Sequence, residues 1–205
     1  KIKEYLEGAD LVFITTGMGG GTGTGASPII AEVAKETGAL TIAVATKPFL
    51  FEGSRRMFVA NDGIEKLKEK VDALITIPNQ KILEFGDKQI TLVNAFKEID
   101  SVLRQGVKGL AEIITLSGLI NVDFADVKAV MQNAGTAIMG IGIGSGERRA
   151  LQAVKQTMTS PLLEFSIEGA KGILFNIVGG ENLSMQEVKL PFRIADTREQ
   201  MIYLY

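Results

Sequence analysis

The chain reads as an α/β protein: a Rossmann-like parallel sheet, a long central helix, then part of a smaller α+β second domain. Three observations predict this. Apolar, β-branched runs at Leu11–Ile14, Leu40–Thr46 and Leu74–Pro78 alternate with helix-length segments, and strand–helix–strand order implies right-handed crossovers and a parallel sheet. A glycine-rich turn, Thr15 to Ser27, joins the first run to a helix. From about Phe96 to Leu116, apolar residues recur at three- and four-residue steps, the period of one helix face.

In order along the chain, Ile2, Tyr5 and Leu6 read as a helix end beginning at Lys1, so the sequence reads as a fragment. The first strand follows, and then the turn Thr-Thr-Gly-Met-Gly-Gly-Gly-Thr-Gly-Thr-Gly-Ala-Ser. Ser27 is the expected N-cap of the next helix and Pro28 its first residue. A glycine turn between a strand and a helix start suits phosphate: the backbone comes close, N–H groups converge, and the helix dipole favours an anion. Thr22 and Thr24 would add hydroxyl donors. Gly20 to Gly25 has the gap of a Walker A loop, but Ala26 stands where Lys is needed. Gly21-x-Gly23-x-x-Ala26 fits a dinucleotide fingerprint only loosely. A flexible linker is the plain alternative.

Gly38 is the expected helix C-cap before the second strand. Lys47 to Gly53 is a loop, since Pro48 disfavours helix before it. Ser54 starts a polar helix to about Val71, with Met57, Ile64 and Leu67 inward. Asn79 follows the third strand at its carboxyl end, where open α/β sheets bind ligands, and Lys81 to Phe85 is a short helix. The long helix from about Phe96 is apolar enough to lie buried between two layers; Gly106 and Gly109 lower its propensity but permit close packing. Asp100 and Arg104 need a reason beyond packing. Then come a turn at Ser117, a helix from near Asp123 to Met131, a strand over Gly135 to Gly146, a helix from Glu147 to Met158, a mixed stretch from Pro161 to Glu168, a strand over Gly172 to Val178, and a helix from Ser184.

Composition narrows the chemistry. With 205 residues, 46% apolar and 22% charged, the chain is an ordinary globular sequence of one to one and a half domains. A net charge of −2 gives no electrostatic footprint for nucleic acid, and no apolar run has the length of a membrane span. The absence of a signal peptide and of Cys suits the cytoplasm. With no His and no Cys, the usual zinc sites, histidine acid–base catalysis and thiol nucleophiles are excluded. Carboxylates, hydroxyls, Lys, Arg, backbone and a hard cation remain.

Asn121, Asp123 and Asp126 gather at a helix start. Asp123 and Asp126, three apart, share a side. They either cap the helix and offset its dipole or orient and polarise a water. The long helix would span roughly 30 Å. With Asp100 at the nucleotide end, the acidic trio sits at the far pole, so it is either structural or acts on a nucleotide held by the next molecule.

Three stretches carry a family resemblance: Gly19-Gly20-Gly21-Thr22-Gly23-Thr24-Gly25; Thr46-Lys47-Pro48-Phe49 with Phe51-Glu52-Gly53; and Gly118-Leu119-Ile120-Asn121-Val122-Asp123-Phe124-Ala125-Asp126. With them the sequence resembles FtsZ, the bacterial tubulin-like cell-division GTPases. The resemblance runs to about Val188 and includes Asn133-Ala134-Gly135, Ser160-Pro161-Leu162-Leu163 and Gly179-Gly180-Glu181-Asn182-Leu183-Ser184. It implies a partial tubulin/FtsZ-type fold: residues 1–95 as the C-terminal part of the GTPase domain, 96–116 as the connecting helix, 117–188 as the second domain, and 189–205 as a non-matching tail in which Pro191 would break the family's helix.

The resemblance also implies roles. Gly19, Gly20, Gly21, Thr22, Gly23, Thr24 and Gly25 hold the phosphates of GTP or GDP. Glu52 and Arg56 lie near ribose and phosphate, and Asn79 contacts ribose or base. The Phe96 ring packs on guanine, and Asp100 accepts from its N–H edge. Asn121, Asp123 and Asp126 form the loop that completes the site of the subunit below. Water then attacks the γ-phosphate, with Mg²⁺ neutralising charge, and no metal ligand is assigned among the residues. The implied partners are further copies or intact FtsZ, head to tail in filaments, and division-ring proteins at the cytoplasmic division site, with no nucleic acid and no membrane insertion. Ser117, Gln80 and Ser54 depart from the family's usual Pro, Asp and basic residue. The alternative from another class is a non-catalytic, truncated module that caps or inhibits filaments. A nicotinamide-dependent dehydrogenase needs a ribose-binding acid about 20 residues past the turn, whereas Glu32 and Glu36 fall inside the helix.

Overall fold

The structure, a computed structural model, describes residues 1–85, 91–116, 123–160, 163, 170–196 and 202–203. It divides into two compact units, one of Lys1–Val107 with Met131–Ala137, the other of Lys108–Val130 with Ile138–Tyr205.

In the first unit the order is α1 (Ile2–Leu6), β1 (Leu11–Gly17), α2 (Gly21–Glu36), β2 (Leu40–Lys47), a 3₁₀ turn (Leu50–Glu52), α3 (Ser54–Lys68), β3 (Ala73–Pro78), α4 (Asn79–Phe85) and the start of α5 (Leu92–Thr115). The strands form one parallel sheet in the order β1-β2-β3-β4, with β4 spanning Gly135–Ala137. Gly17 lies opposite Thr46, and Lys47 opposite Pro78, so the segments after β1, β2 and β3 all leave from one edge.

The core follows from strand alternation. Val12 and Ile14 of β1, Ala43 and Ala45 of β2 and Leu74 of β3 meet Ala31 and Ala34 of α2 and Ala60, Ile64 and Leu67 of α3. The other face of β2, with Ile42 and Val44, is also buried, as expected of a central parallel strand. The C-cap of α2 is Thr37, one residue before the expected Gly38, which follows it in the left-handed conformation at φ +85° and donates its N–H to Lys35 O. The N-terminus of α2 also differs from the expected one. The helix starts at Gly21 with Gly20 as N-cap, so Ser27 and Pro28 lie inside it. The glycines Gly21, Gly23 and Gly25 are themselves helical, and packing rather than propensity holds them there.

A buried carboxylate ties β4 into this unit. Asp72 accepts from Thr41 N at 2.9 Å and Asn133 N at 3.3 Å, and pairs with Lys35 Nζ at 3.3 Å. Lys35 also donates to the Asn133 side chain, and Asn133 is left-handed at φ 53°.

The second unit holds the rest of α5, α6 (Phe124–Met131, apart from Met131 itself), α7 (Arg149–Met158), α8 (Met185–Asp196), and β5 (Ile173–Leu174) paired in parallel with β6 (Ile202–Tyr203). Three expectations are corrected. The strand expected over Gly135 to Gly146 is confined to β4. Beyond it, Gly140, Gly142 and Gly144 lie against the α7 backbone at Thr157, Ala153 and Arg149, and Gln156 and Gln152 accept from Ile143 N and Ser145 N. Glycine at alternate positions lets the extended chain lie flat on the helix, whose glutamines take the place of a strand partner. The strand expected over Gly172 to Val178 is only β5. Pro191 does not end α8, which passes through it. The mixed stretch from Pro161 to Glu168 lies outside the described residues except for Leu163.

Helix α5 is continuous, as expected, and about 36 Å long at helical rise. It is not buried between layers: Ala95, Ile99 and Gly106 are its buried residues, Leu92, Val93 and Phe96 are exposed, and Val102, Leu103, Val107, Leu110, Ile113 and Ile114 are half-buried. Among the described residues, no helix is long and apolar enough to cross a membrane.

Candidate nucleotide site

Three segments meet at the carboxyl edge of the first sheet. After β1, Met18 N still donates to Thr46 O at 3.0 Å, and the chain then turns at Gly19, with φ +98°. A Cβ on Gly19 would lie 2.7 Å from Arg56 Cγ and 2.8 Å from Arg56 O. Its N–H donates to Thr24 Oγ1 at 2.9 Å. Thr24, expected as a donor to a ligand, also accepts a bond that closes the turn, which leaves its hydroxyl proton to donate. The methyl of Thr24 packs on Gly63 of α3, and Gly23 lies directly against Gly17 O and Thr16 Oγ1. A side chain at Gly19, Gly23 or Gly63 would open the turn.

The outer side of the turn is open: among the described residues, Cβ atoms on Gly20, Gly21 and Gly25 would meet nothing within 4 Å. The N-terminus of α2 has no side-chain cap. The N–H groups of its first turn have no intrahelical acceptor, an arrangement that favours an anion.

After β2, Phe49 N donates to Glu52 Oε1 at 2.8 Å. Glu52 Oε2 pairs with Arg56 Nη1 at 3.1 Å, one helical turn on, where Glu52 is largely buried and Arg56 half exposed. The Glu52 carboxylate thus holds the 3₁₀ turn and the arginine that lies against Gly19. Gln80 Oε1 accepts from Leu50 N at 3.4 Å. After β3, Asn79 is 6% exposed, and its Oδ1 has no hydrogen-bond partner among the described residues. A buried acceptor without a donor is costly, and at the carboxyl end of a parallel strand it points to a ligand. The Ser27 hydroxyl shares this unpartnered state, but it lies within α2.

Phe96 and Asp100 occupy successive turns of α5. Both are exposed, while Ala95 and Ile99 beside them are buried against Phe49, Ile82 and Leu83. The Phe96 ring meets Phe49 edge-on, with centroids 5.2 Å apart at 89°.

Gly19–Gly25, Glu52, Arg56, Asn79, Phe96 and Asp100 all belong to the first unit. In the second unit Asp123 caps α6: its Oδ1 accepts from Asp126 N at 2.9 Å. Asp123 and Asp126 are exposed. Asn121 lies outside the described residues. Among the described residues, no group of three acidic side chains gathers to hold a metal.

Sequence reasoning gave no role to Phe49, Gly63 or Asp72. Gly63 carried a signal: a glycine in the middle of a helix costs about 1 kcal/mol and calls for a packing reason, here the Thr24 methyl.

Residues 1–87 match the Tubulin/FtsZ family, GTPase domain. Residues 135–200 match the FtsZ family, C-terminal domain, a match that continues past Val188. Two solved structures of FtsZ from M. jannaschii, an empty dimer and a point mutant, are 46% and 48% identical, with TM-scores of 0.91 and 0.92. Each covers 98% of this chain, which spans 61% of theirs. A CetZ from Methanosaeta thermophila, 22% identical with a TM-score of 0.74, covers 96% of this chain and 57% of its own, and shares the fold. With both domains matched in this order, the chain belongs to the FtsZ family of tubulin-like proteins.

Proposed function

We propose that the chain is a guanine-nucleotide-binding segment of a filament-forming cell-division GTPase. The phosphates of GTP or GDP lie on Gly19–Gly25 at the N-terminus of α2. Arg56, held by Glu52, lies beside the phosphates and ribose. Asn79 contacts ribose or base, Phe96 packs on the guanine, and the Asp100 carboxylate accepts from its paired N–H donors. The observation that carries this reading is the buried, unpartnered Asn79 Oδ1 on the same sheet edge as the open glycine turn.

Hydrolysis joins a water oxygen to the γ-phosphorus as the bond to the β-phosphate oxygen breaks. Asn121, Asp123 and Asp126 of the neighbouring subunit orient that water, and the proton passes to a carboxylate or to solvent. Mg²⁺ would enter with the phosphates and neutralise their charge; the described residues supply no cluster for it, so no protein ligand is assigned. One subunit's acids serving the next subunit's nucleotide gives an open head-to-tail assembly. One of the FtsZ structures similar to this chain is described as a dimer, which supports self-association. Other division-ring proteins at the cytoplasmic division site complete the proposed setting.

The test is base selectivity. The chain should bind GTP in preference to ATP, measured by competition against a fluorescent nucleotide. Asp100→Ala should weaken GTP by about 10- to 100-fold, the worth of hydrogen bonds to a charged acceptor, and ATP much less. Equal affinity for both nucleotides in the unaltered chain would reject the reading; an unchanged preference in Asp100→Ala would remove that residue's role.

A further inference from the structure

The two ends of the candidate site are joined through one residue. The Phe49 ring is wholly buried, meets Phe96 edge-on at 5.2 Å and stacks on Phe51 at 4.8 Å and 17°. The Phe49 amide donates to Glu52, Glu52 pairs with Arg56, and Arg56 packs against Gly19. This line of contacts runs from the exposed ring at the base end to the glycine turn at the phosphate end, wholly within the first unit. No residue of it is supplied by a distant loop.

We propose that Phe49 is a positioning residue shared by the two halves of the site: its ring fixes the plane of Phe96, and its amide fixes Glu52 and through it Arg56. The inference rests on the nucleotide reading above. The two attachments are chemically distinct. The ring belongs to the side chain and changes with substitution. The amide is backbone and survives it. An edge-to-face pair also holds the second ring in one orientation, whereas an aliphatic side chain of similar bulk fills the space without choosing a plane. Removing the ring should therefore loosen recognition of the base and spare recognition of the phosphates.

The experiment compares the full chain with Phe49→Leu, and with Phe49→Met should leucine prevent folding. The probes are GTP, ATP and inorganic tripolyphosphate, which lacks base and ribose. Phe49→Leu should bind GTP about five- to tenfold more weakly, the size of an aromatic pair's contribution. Its preference for GTP over ATP should fall in parallel, and its affinity for tripolyphosphate should stay within about twofold of the unaltered chain. Unchanged tripolyphosphate binding also reports an intact glycine turn, which a general loss of structure would not leave. Glu52→Gln, which keeps an acceptor for the amide but not the charge facing Arg56, should show the reverse pattern. Retention of the full GTP preference in Phe49→Leu, or equal loss for all three probes in both leucine and methionine variants, would overturn this assignment. An unaltered chain with no GTP preference would instead reject the nucleotide reading, and this inference with it.

Discussion

Two helix N-termini carry the chemistry, and they are built in opposite ways. Helix α2 begins at glycines without a side-chain cap, so its first N–H groups are left for an outside anion. Helix α6 begins at Asp123, whose carboxylate already accepts from Asp126 N. The first is an incomplete structure that a ligand completes. The second is complete in itself and presents negative charge. On the proposed reading a phosphate sits at the first, and the acids of the second, beyond capping α6, serve a nucleotide held by another subunit. The contrast supports a division of labour in which one subunit binds and its neighbour activates water.

The strongest test of the first terminus is Gly23→Ala. Its Cβ would collide with Gly17 O and Thr16 Oγ1, both part of the strand end. Relief requires the turn to move, at about 1–3 kcal/mol of stability, and nucleotide affinity should fall about a hundredfold as the phosphate donors lose their geometry. Gly25→Ala is the matched control. Its Cβ meets nothing within 4 Å, so the helix should gain about 0.5–1 kcal/mol. Thermal melts of the pair check this, since Gly25 itself is placed at the phosphates; equal effects on stability would mean that the turn is not set by packing.

The second terminus gives the next largest effect. Asp123→Ala removes both cap and charge, while Asp123→Asn keeps a capping oxygen. If the acid orients water in trans, both should lower turnover in assembled filaments about 10²- to 10⁴-fold with nucleotide binding nearly intact, and only the alanine variant should lose about 1 kcal/mol of stability. Full turnover in Asp123→Asn would reduce the residue to a cap; no turnover in the unaltered assembled chain would favour a non-catalytic module.

The same contrast explains what the sequence made legible. Strands, crossovers and the position of the glycine turn were readable because β-branched runs and glycines report local backbone needs. The start of α2 was misread at Ser27 because an excellent capping pair, Ser27-Pro28, outweighed glycines that are poor helix formers; tight packing of Thr24 on Gly63 and of Gly23 on β1 decides the matter, and neither contact has a local signature. The site residues after β2 were found through the family resemblance, whereas Asn79 stood out by its place at the carboxyl end of β3. Phe49 stood inside a recognised motif, yet its role depends on a ring 47 positions away at Phe96. In the second unit, Gly140 to Gly144 read as a strand because alternate glycines suit close sheet packing; they lie instead on α7.

A smaller effect distinguishes the second unit's helix starts from each other. Helix α8 begins with a capping box: Ser184 Oγ accepts from Glu187 N at 3.3 Å, and Glu187 Oε2 accepts from Ser184 N at 2.8 Å. Arg149 at the start of α7 adds Nε to Glu187 Oε1 at 2.6 Å and Nη1 to Asn182 at 2.9 Å. The arginine, followed by the serine bonds, lowers the Glu187 pKa from 4.5 to about 2. A carboxylate whose folded pKa is depressed adds stability above its unfolded value and loses it as pH falls through the folded one. The contribution is therefore full above about pH 4.5 and gone near pH 2, and solvent screening keeps it small. Glu187→Gln should lower the thermal midpoint by about a degree or two at neutral pH, with the gap from the unaltered chain closing as pH falls from about 5 toward 2. Added salt should narrow the gap as well, since the pair is partly exposed. No gap at any pH would assign the stabilisation to the cap geometry, which glutamine largely keeps, and not to the Arg149 charge.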